Sequence, residues 1–239
     1  MNTVLQTIGG KKFEVRADRQ NDVEVIHEVF VNDVYRLSQL KARGVNPKCV
    51  IDVGGHIGTF AVKCKSLWPS CQIVAFEPVK DNAELYRKNV SLNGYENVTV
   101  INKGINYDKE RTIFVNGIRA TGGGLFISPS NLAGCLASGL YKLEPEIQWS
   151  TLEAELAPFQ FPSIDIAKFD CEGGERETFR QMSDDILKKI KYIVGEFHLP
   201  DCDGKDFAKN YMQRFNHVVI IPDNYLDKKL GIFYAEPKI

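Results

Sequence analysis

The chain has 239 residues, 44% of them hydrophobic and 26% charged, with a formal net charge of −1. That is ordinary for a globular protein of one large α/β domain or two small ones, and so neutral a chain shows no basic footprint for nucleic acid. No apolar run approaches the roughly 20 residues that span a bilayer, and the N-terminus has no apolar signal core. The six cysteines (Cys49, Cys64, Cys71, Cys135, Cys171, Cys202) show no metal-type pair spacing. The expectation is therefore a cytoplasmic protein with reduced thiols.

Residues Met1 to about Pro47 read as a lead-in that covers one sheet edge or the ligand mouth. Within it Lys12–Arg16 suggests a short strand. Asp33 to Arg43 suggests a helix with Val34, Leu37, Leu40 and Lys41 at three- and four-residue spacing, ended by Gly44 and Pro47. From Cys49 the rhythm is strand, helix, strand, helix. Cys49–Val53 is a strand, Thr59–Trp68 its helix, Gln72–Phe76 a strand ending at Glu77-Pro78, Lys80–Leu92 a helix stopped by Asn93-Gly94, and Val98–Ile101 a strand. Nearly continuous apolar strands separated by helices predict a parallel sheet with helices on both faces.

Between about 106 and 162 the rhythm breaks. Strands are expected at Arg111–Val115 and Gln148–Ser150, and between them lies a glycine-rich loop (Gly122-Gly123-Gly124, Gly134) that reads either as a functional lid, over Thr121–Gly134, or as a disordered loop. Thr151 caps a short helix. The rhythm returns with Ile164–Phe169, a helix to about Met182, a strand at Tyr192–Gly195, and a helix over Gly204–Phe215. Val218–Ile221 and Ile232–Ala235 close the chain as an antiparallel hairpin around Pro222–Gly231. The chain from 1 to 239 reads as a single domain.

Ligands of open α/β sheets bind beyond the carboxyl ends of the strands, near the switch point. Asp52, Glu77, Asp170 with Glu172, and Glu196 all fall at such ends. Each alone is an ordinary solvated turn residue; together on one edge they point to a site. Glu77 lies where nucleotide folds place the acid that grips ribose hydroxyls. The turn Gly54-Gly55-His56-Ile57-Gly58 lacks the G-x-G-x-x-G order of a dinucleotide site, and Asp52 before it would repel an anion. That disfavours a nicotinamide oxidoreductase. A nucleoside with an ammonium or sulfonium charge suits the pattern, and S-adenosylmethionine has both with a ribose.

The runs IDVGGHIGTF from Ile51, FEP from Phe76 and KFDCEGGE from Lys168, with VFVNDVYRL from Val29 and GEFH from Gly195, resemble the FkbM family of S-adenosylmethionine-dependent methyltransferases. Cys171 and Gly174 depart from the usual form of the acidic block but leave its charged frame intact. The resemblance implies a Rossmann-like class I methyltransferase fold: a mostly parallel seven-stranded sheet with an antiparallel C-terminal hairpin. It implies that Asp52, Gly54, Gly55 and Gly58, with His56 and Thr59, line the methionine and sugar side of the cofactor. Glu77 with Pro78 would hold the ribose, Asn102 to Gly104 would lie against adenine, and Asp170 would stand beside the methyl donor. It also implies a small-molecule, sugar or glycan-like oxygen as acceptor.

Candidates for the base, or for orienting the acceptor, are Glu172, Glu196, His198 and Asp170. Glu196 and His198 share strand parity, so their side chains converge on one side. His198 before Pro200 is equally credible as a surface residue, Glu172 also reads as a helix N-terminal acid, and His56 reads as a turn residue rather than a catalyst. Lys168, two residues before Asp170, reads equally as a partner for a hydroxyl or as a sheet salt bridge. Asp170, Glu172, Glu196 and His198 are hard-ion ligand types, but no spacing demands a metal. Two other readings stay open: a nucleoside-binding protein of this fold without catalysis, and an RNA methyltransferase, disfavoured by the neutral charge.

Overall fold

The computed structural model describes residues 2–107, 113–117, 124–127, 132–138, 141–143, 147–198, 209–210, 212–222 and 230–237. Its centre is a seven-stranded sheet built from β3 (Cys49–Val53), β4 (Gln72–Phe76), β5 (Val98–Ile101), β11 (Ile164–Phe169), β12 (Ile190–His198), β13 (Phe215–Pro222) and β14 (Leu230–Pro237), numbered by position in the chain. The order is β13-β14-β12-β11-β3-β4-β5. The five strands from β12 to β5 run parallel, and β14 is antiparallel to both β12 and β13. The chain moves outward from β3 to β5 and returns on the other side through β11, so the switch point lies between β3 and β11.

β3 and β11 are buried at every position, as the apolar runs of a sheet covered on both faces require. One core lies on the face carrying Ile51, Val74, Phe169 and Phe233, beneath α7 (Glu175–Gln181) and α8 (Asp184–Leu187). The other lies on the face carrying Val50, Ile73 and Val194, beneath α2 (Leu37–Ala42), α3 (Thr59–Leu67) and α4 (Lys80–Leu92). α4 ends where Gly94 takes a left-handed φ of 67° and closes the turn onto Ser91. Side chains of Thr151 and Ser183 cap α6 (Leu152–Leu156) and α8.

The lead-in carries more structure than expected. β1 (Thr3–Ile8) and β2 (Lys11–Arg16) form an antiparallel hairpin. α1 (Gln20–Ile26) runs into a π-helical turn over His27–Val31, and the helix expected over 33–43 forms only as α2. Phe13, Val15 and Ile26 bury against Ile57, Val62 and Leu85 in a third core, each large side chain contributing about 1.5–3 kcal/mol.

The middle section corrects the expected loop. β7 (Ile113–Gly117), β8 (Gly124–Ile127) and β9 (Tyr141–Leu143) form a separate antiparallel sheet in the order β8-β7-β9, with α5 (Leu132–Ala137) between β8 and β9. β10 (Trp149–Ser150) pairs in parallel with β6 (Gly104–Ile105). Half of the loop read as a lid (121–123 and 128–131) lies outside the described residues, as do Cys202, half of the helix expected over 204–215, and residues 223–229 of the hairpin turn; Phe215, the expected end of that helix, instead opens β13.

Candidate active site

The carboxyl ends of β4, β3, β11 and β12 stand side by side, so Glu77, Asp52, Asp170 and Glu196 share one edge as their positions predict. Above that edge opens a cavity, in the place where open α/β sheets bind their ligands. Its floor is the glycine turn. The Gly54 and Gly55 amides both donate to the Phe76 carbonyl, at 2.9 and 3.0 Å. Gly54 has φ 81°, and a Cβ on it would stand 1.7 Å from the Asp170 carbonyl oxygen, so only glycine lets the turn pass the end of β11.

Glu77 lies in the cavity wall with 4% exposure. Its Oε2 accepts from the His56 amide at 2.8 Å; its Oε1 accepts from the Val79 amide at 2.9 Å and from Asn82 Nδ2 at 3.1 Å. Burial pushes its pKa up against these bonds and the nearby His56. The carboxylate is thus fixed before any ligand arrives. His56, Thr59, Pro78, Gly104, Asp170 and Glu172 also line the cavity. Thr59 Oγ1 and His56 Nδ1 are buried without a hydrogen-bond partner, which leaves hydrogen-bonding capacity for a polar ligand. A rigid acid and unspent polar atoms beside a glycine turn that keeps side chains out of the way fit a nucleoside such as S-adenosylmethionine.

Three expected contacts move one layer back. Asp52 is fully buried and absent from the cavity wall. It is paired in register with Lys168 on β11. Its Oδ2 accepts from the Tyr86 hydroxyl at 3.0 Å, and its Oδ1 stands 3.2 Å from Lys168 Nζ without a well-aligned hydrogen bond. The lysine offsets its charge, so Asp52 does not by itself repel an anion from the turn. Gly58 caps α3 at φ 87° against Tyr86 instead of facing the cavity. Asn102 donates to the carbonyls of Glu77 and Pro78 at 2.8 and 2.9 Å, bracing the end of β4; on that side the wall is Gly104 with Ile105.

Lys168 ties these pieces together. Its ammonium donates to the Gly54 carbonyl at 2.5 Å and lies 3.5 Å from Asp170 Oδ2. Burial opposes its charge, but Asp52 and Asp170 outweigh burial and hold its pKa above the usual value. Asp170 also accepts from the Tyr35 hydroxyl at 2.8 Å. Burial alone would raise Asp170; Lys168, His198 and Tyr35 hold it low, so it stays ionised.

Beside Asp170 the remaining candidates meet. Glu172 has a left-handed φ of 56°, and its Oε2 lies 3.4 Å from His198 Nε2. His198 Nδ1 lies 3.4 Å from Glu175 Oε1, and Glu196 Oε1 stands 3.9 Å from His198 Nε2. One ligand atom each from Asp170, Glu196 and His198 fall within 4.8 Å of one another, a spacing a cation could bridge. Glu175, which the sequence did not single out, is fully buried. Its carboxylate accepts from the Cys171 and Gly173 amides at 2.7 and 3.0 Å, so it shapes the acidic loop. Burial disfavours a charged His198, but Glu172, Glu175 and Glu196 outweigh it and raise its pKa well above the ordinary value. Burial, reinforced by Asp170, pushes Glu196 up to about 8, and burial pushes Glu172 up to about 7. Glu172 keeps 38% side-chain exposure, so water tempers its shift.

The lead-in supplies the far wall through Arg19, Asn21, Val25, Val29 and Tyr35. An ion-pair network fastens it to the glycine turn: buried Asp22 pairs with Arg16 at 2.5 Å and lies 3.3 Å from His56 Nε2. The sequence carries no periodic signal for these contacts, because they join a short hairpin and helix to a turn from a distant part of the chain.

A family model described as "Methyltransferase FkbM domain" matches residues 52–219. Methyltransferase 1 of Beauveria bassiana is 24% identical over 200 residues, covering 78% of this chain and 77% of that protein. AMB antimetabolite synthetase AmbE of Pseudomonas aeruginosa is 24% identical over 206 residues, covering 74% of this chain and 10% of the synthetase, so this chain spans about a tenth of that relative. Among solved structures, magnesium protoporphyrin IX methyltransferase of Synechocystis PCC 6803 with bound SAM gives a TM-score of 0.51 at 12% identity, covering 92% of this chain and 83% of that one. Streptococcus mutans SMU.1697c in complex with SAH gives 0.51 at 12% identity, covering 86% and 98%. These likenesses show a class I methyltransferase fold. Among the described residues no helix is long and apolar enough to cross a membrane.

Proposed function

Since the chain belongs to the FkbM family of methyltransferases, we propose that it binds S-adenosylmethionine in the cavity above β3 and β4 and methylates a hydroxyl of a small molecule or saccharide. The observation that carries this reading is Glu77, a buried carboxylate fixed by three hydrogen bonds in the wall of the cavity beside the glycine turn. The cofactor supplies a methyl group on a positively charged sulfur, open to in-line displacement. Glu77 would accept the ribose hydroxyls, Thr59 and His56 offer their unspent polar atoms, and Gly104 with Ile105 flank the base. Asp170, ionised and held by Lys168 and Tyr35, orients the acceptor.

The charges distinguish the candidates for proton acceptor. The ring of acids favours the protonated form of His198, which makes it the poorer proton acceptor. Asp170 is held low and is a weak base. Glu196 is 26% exposed and has its pKa raised to about 8; its ionised form, the minor one at neutral pH, is a strong enough base for its Oε1 to take the acceptor proton. His198 then balances the remaining acids.

Calorimetry with S-adenosylhomocysteine tests the cofactor assignment. Binding should be measurable, and Glu77→Ala should weaken it by about tenfold or more, the loss of one charge-assisted hydrogen bond. Unchanged binding in that variant would sink the assignment. Labelled S-adenosylmethionine incubated with the protein and a cell extract should then deliver the label to an oxygen of the acceptor.

A further inference from the structure

Two cations that line the cavity above β3 and β4 differ in what holds them. Lys168 is committed to the Gly54 carbonyl, Asp52 and Asp170. Arg19 lines the same cavity from the lead-in, and among the described residues its guanidinium has no hydrogen bond or ion pair. Asp22, three residues on, is taken up by Arg16 and His56. Asp18 and Asp81 act on Arg19 only from beyond ion-pair distance. The fold does not reward the charge where it stands. Arg19 is the N-cap of α1, the end at which a helix dipole disfavours a cation. Burial, with Arg16 nearby, lowers its pKa. Such a group in a cavity wall fits an anion that arrives from outside.

A second group at the same place lacks a partner. α3 is nine residues long, and its N-cap, Gly58, supplies no side-chain hydrogen bond, so the chain leaves its first turn uncapped. Thr59, its first residue, is 2% exposed, lines the cavity, and has no partner for Oγ1. The two features adjoin. His56, in the turn before α3, stands 3.3 Å from Asp22, and the Asp22 amide donates to the Arg19 carbonyl at 3.3 Å.

With the ribose on Glu77 at the end of β4 and the sulfur toward Asp170 at the end of β11, the cofactor spans two strand spacings, roughly 10 Å. β3 lies between those strands and leads into the glycine turn and α3. The amino-acid tail that starts at the sulfur therefore has the start of α3 below it and the lead-in opposite. Its carboxylate is the only anion of the cofactor. We propose that this carboxylate is bound between Arg19 and the first turn of α3, with the Thr59 hydroxyl donating to it from the floor. A guanidinium fork matches the two oxygens of a carboxylate. The assignment rests on the cofactor reading and adds to it a residue outside the matched family segment, 52–219.

The test is calorimetry of the full chain with two ligands: S-adenosylhomocysteine, and its decarboxylated form, which keeps the nucleoside, sulfur and amine. Wild type should prefer S-adenosylhomocysteine by about tenfold or more. Arg19→Gln should abolish that preference by weakening S-adenosylhomocysteine alone, and Arg19→Lys, which keeps the charge and loses the fork, should fall between. Thr59→Val, of nearly the same shape, should lower the preference by about fivefold, one neutral hydrogen bond. Glu77→Ala should weaken both ligands equally, which separates the sugar from the carboxylate. The Tm of ligand-free Arg19→Gln should stay at the wild-type value, since its side chain bonds no other described residue. A preference unchanged in Arg19→Gln, or equal loss of both ligands in it, overturns the role of Arg19. A preference unchanged in Thr59→Val overturns the placement at α3. Failure of wild type to bind either ligand overturns the cofactor reading itself, and the carboxylate site with it.

Discussion

Glu196, like Glu172 and unlike Asp52, Glu77 and Asp170, has no described hydrogen-bond donor; His198 stands 3.9 Å from it. Its pKa near 8 predicts the direction of the pH dependence. A base must be deprotonated, so kcat/KM should climb as pH rises through about 7 to 8, with Glu172 and His198 titrating as part of the same unit. Glu196→Gln should remove that limb and lower kcat by about 10² to 10⁴, with KM less affected. A Gln variant that keeps the full profile would move the base elsewhere. The same shifts act on stability. An acid whose folded pKa is raised loses its stabilising effect as pH climbs from its unfolded value to its folded one, and a raised histidine loses its effect as pH climbs through its folded value. Both signs agree, so Tm should fall as pH rises from above the ordinary carboxyl value to about 8. Such residue-level environments are only partly legible in sequence. Glu196 and His198 were placed together by strand parity, whereas the neutralisation of Asp52 by Lys168 depends on the register between β3 and β11, which no local pattern reports.

At the scale of elements, legibility follows burial. β3, β4, β5, α4 and β11 take the boundaries their sequences predict, because each is a short apolar run or amphipathic period ended by Gly, Asn or an acid. The N-terminal hairpin and α1 escape the same reading because their apolar faces pack against α3 and α4, elements already amphipathic toward the sheet. What fixes this segment is polar: Asp22 is fully buried between Arg16 and His56. Burial would raise its pKa, but the bonds from His56 and Arg16 outweigh burial and hold it well below the ordinary range. Its stabilising effect is present above the unfolded carboxylate pKa and lost as pH falls through the folded one. Asp22→Asn leaves Arg16 without its buried counter-charge, at a cost of about 3–5 kcal/mol, which should lower Tm by roughly 6–20 °C in calorimetry. A change within a degree or two would mean the pair does not fasten the lead-in.

For the molecule as a whole, the cavity belongs to two parts of the chain that are far apart in sequence. The glycine turn and strand ends form its floor; Arg19, Asn21, Val25 and Val29 form its opposite wall. A ligand that touches both is linked to the docking of one on the other, since anything bound only by the assembled site stabilises the assembly. S-adenosylhomocysteine at about a hundred times its Kd should add about 2.7 kcal/mol, roughly 5–11 °C in Tm for a chain of this size. The location of that gain is the sharper measurement. Hydrogen exchange should slow in Gly54–Thr59 and also in α1 and the π-helical turn after it, because closing the far wall is part of the same equilibrium. Asp22→Asn should weaken the protection in α1 more than that in the glycine turn, since it loosens the wall and leaves the floor in place. Protection confined to the glycine turn in wild type would show that the lead-in borders the cavity without taking part in binding.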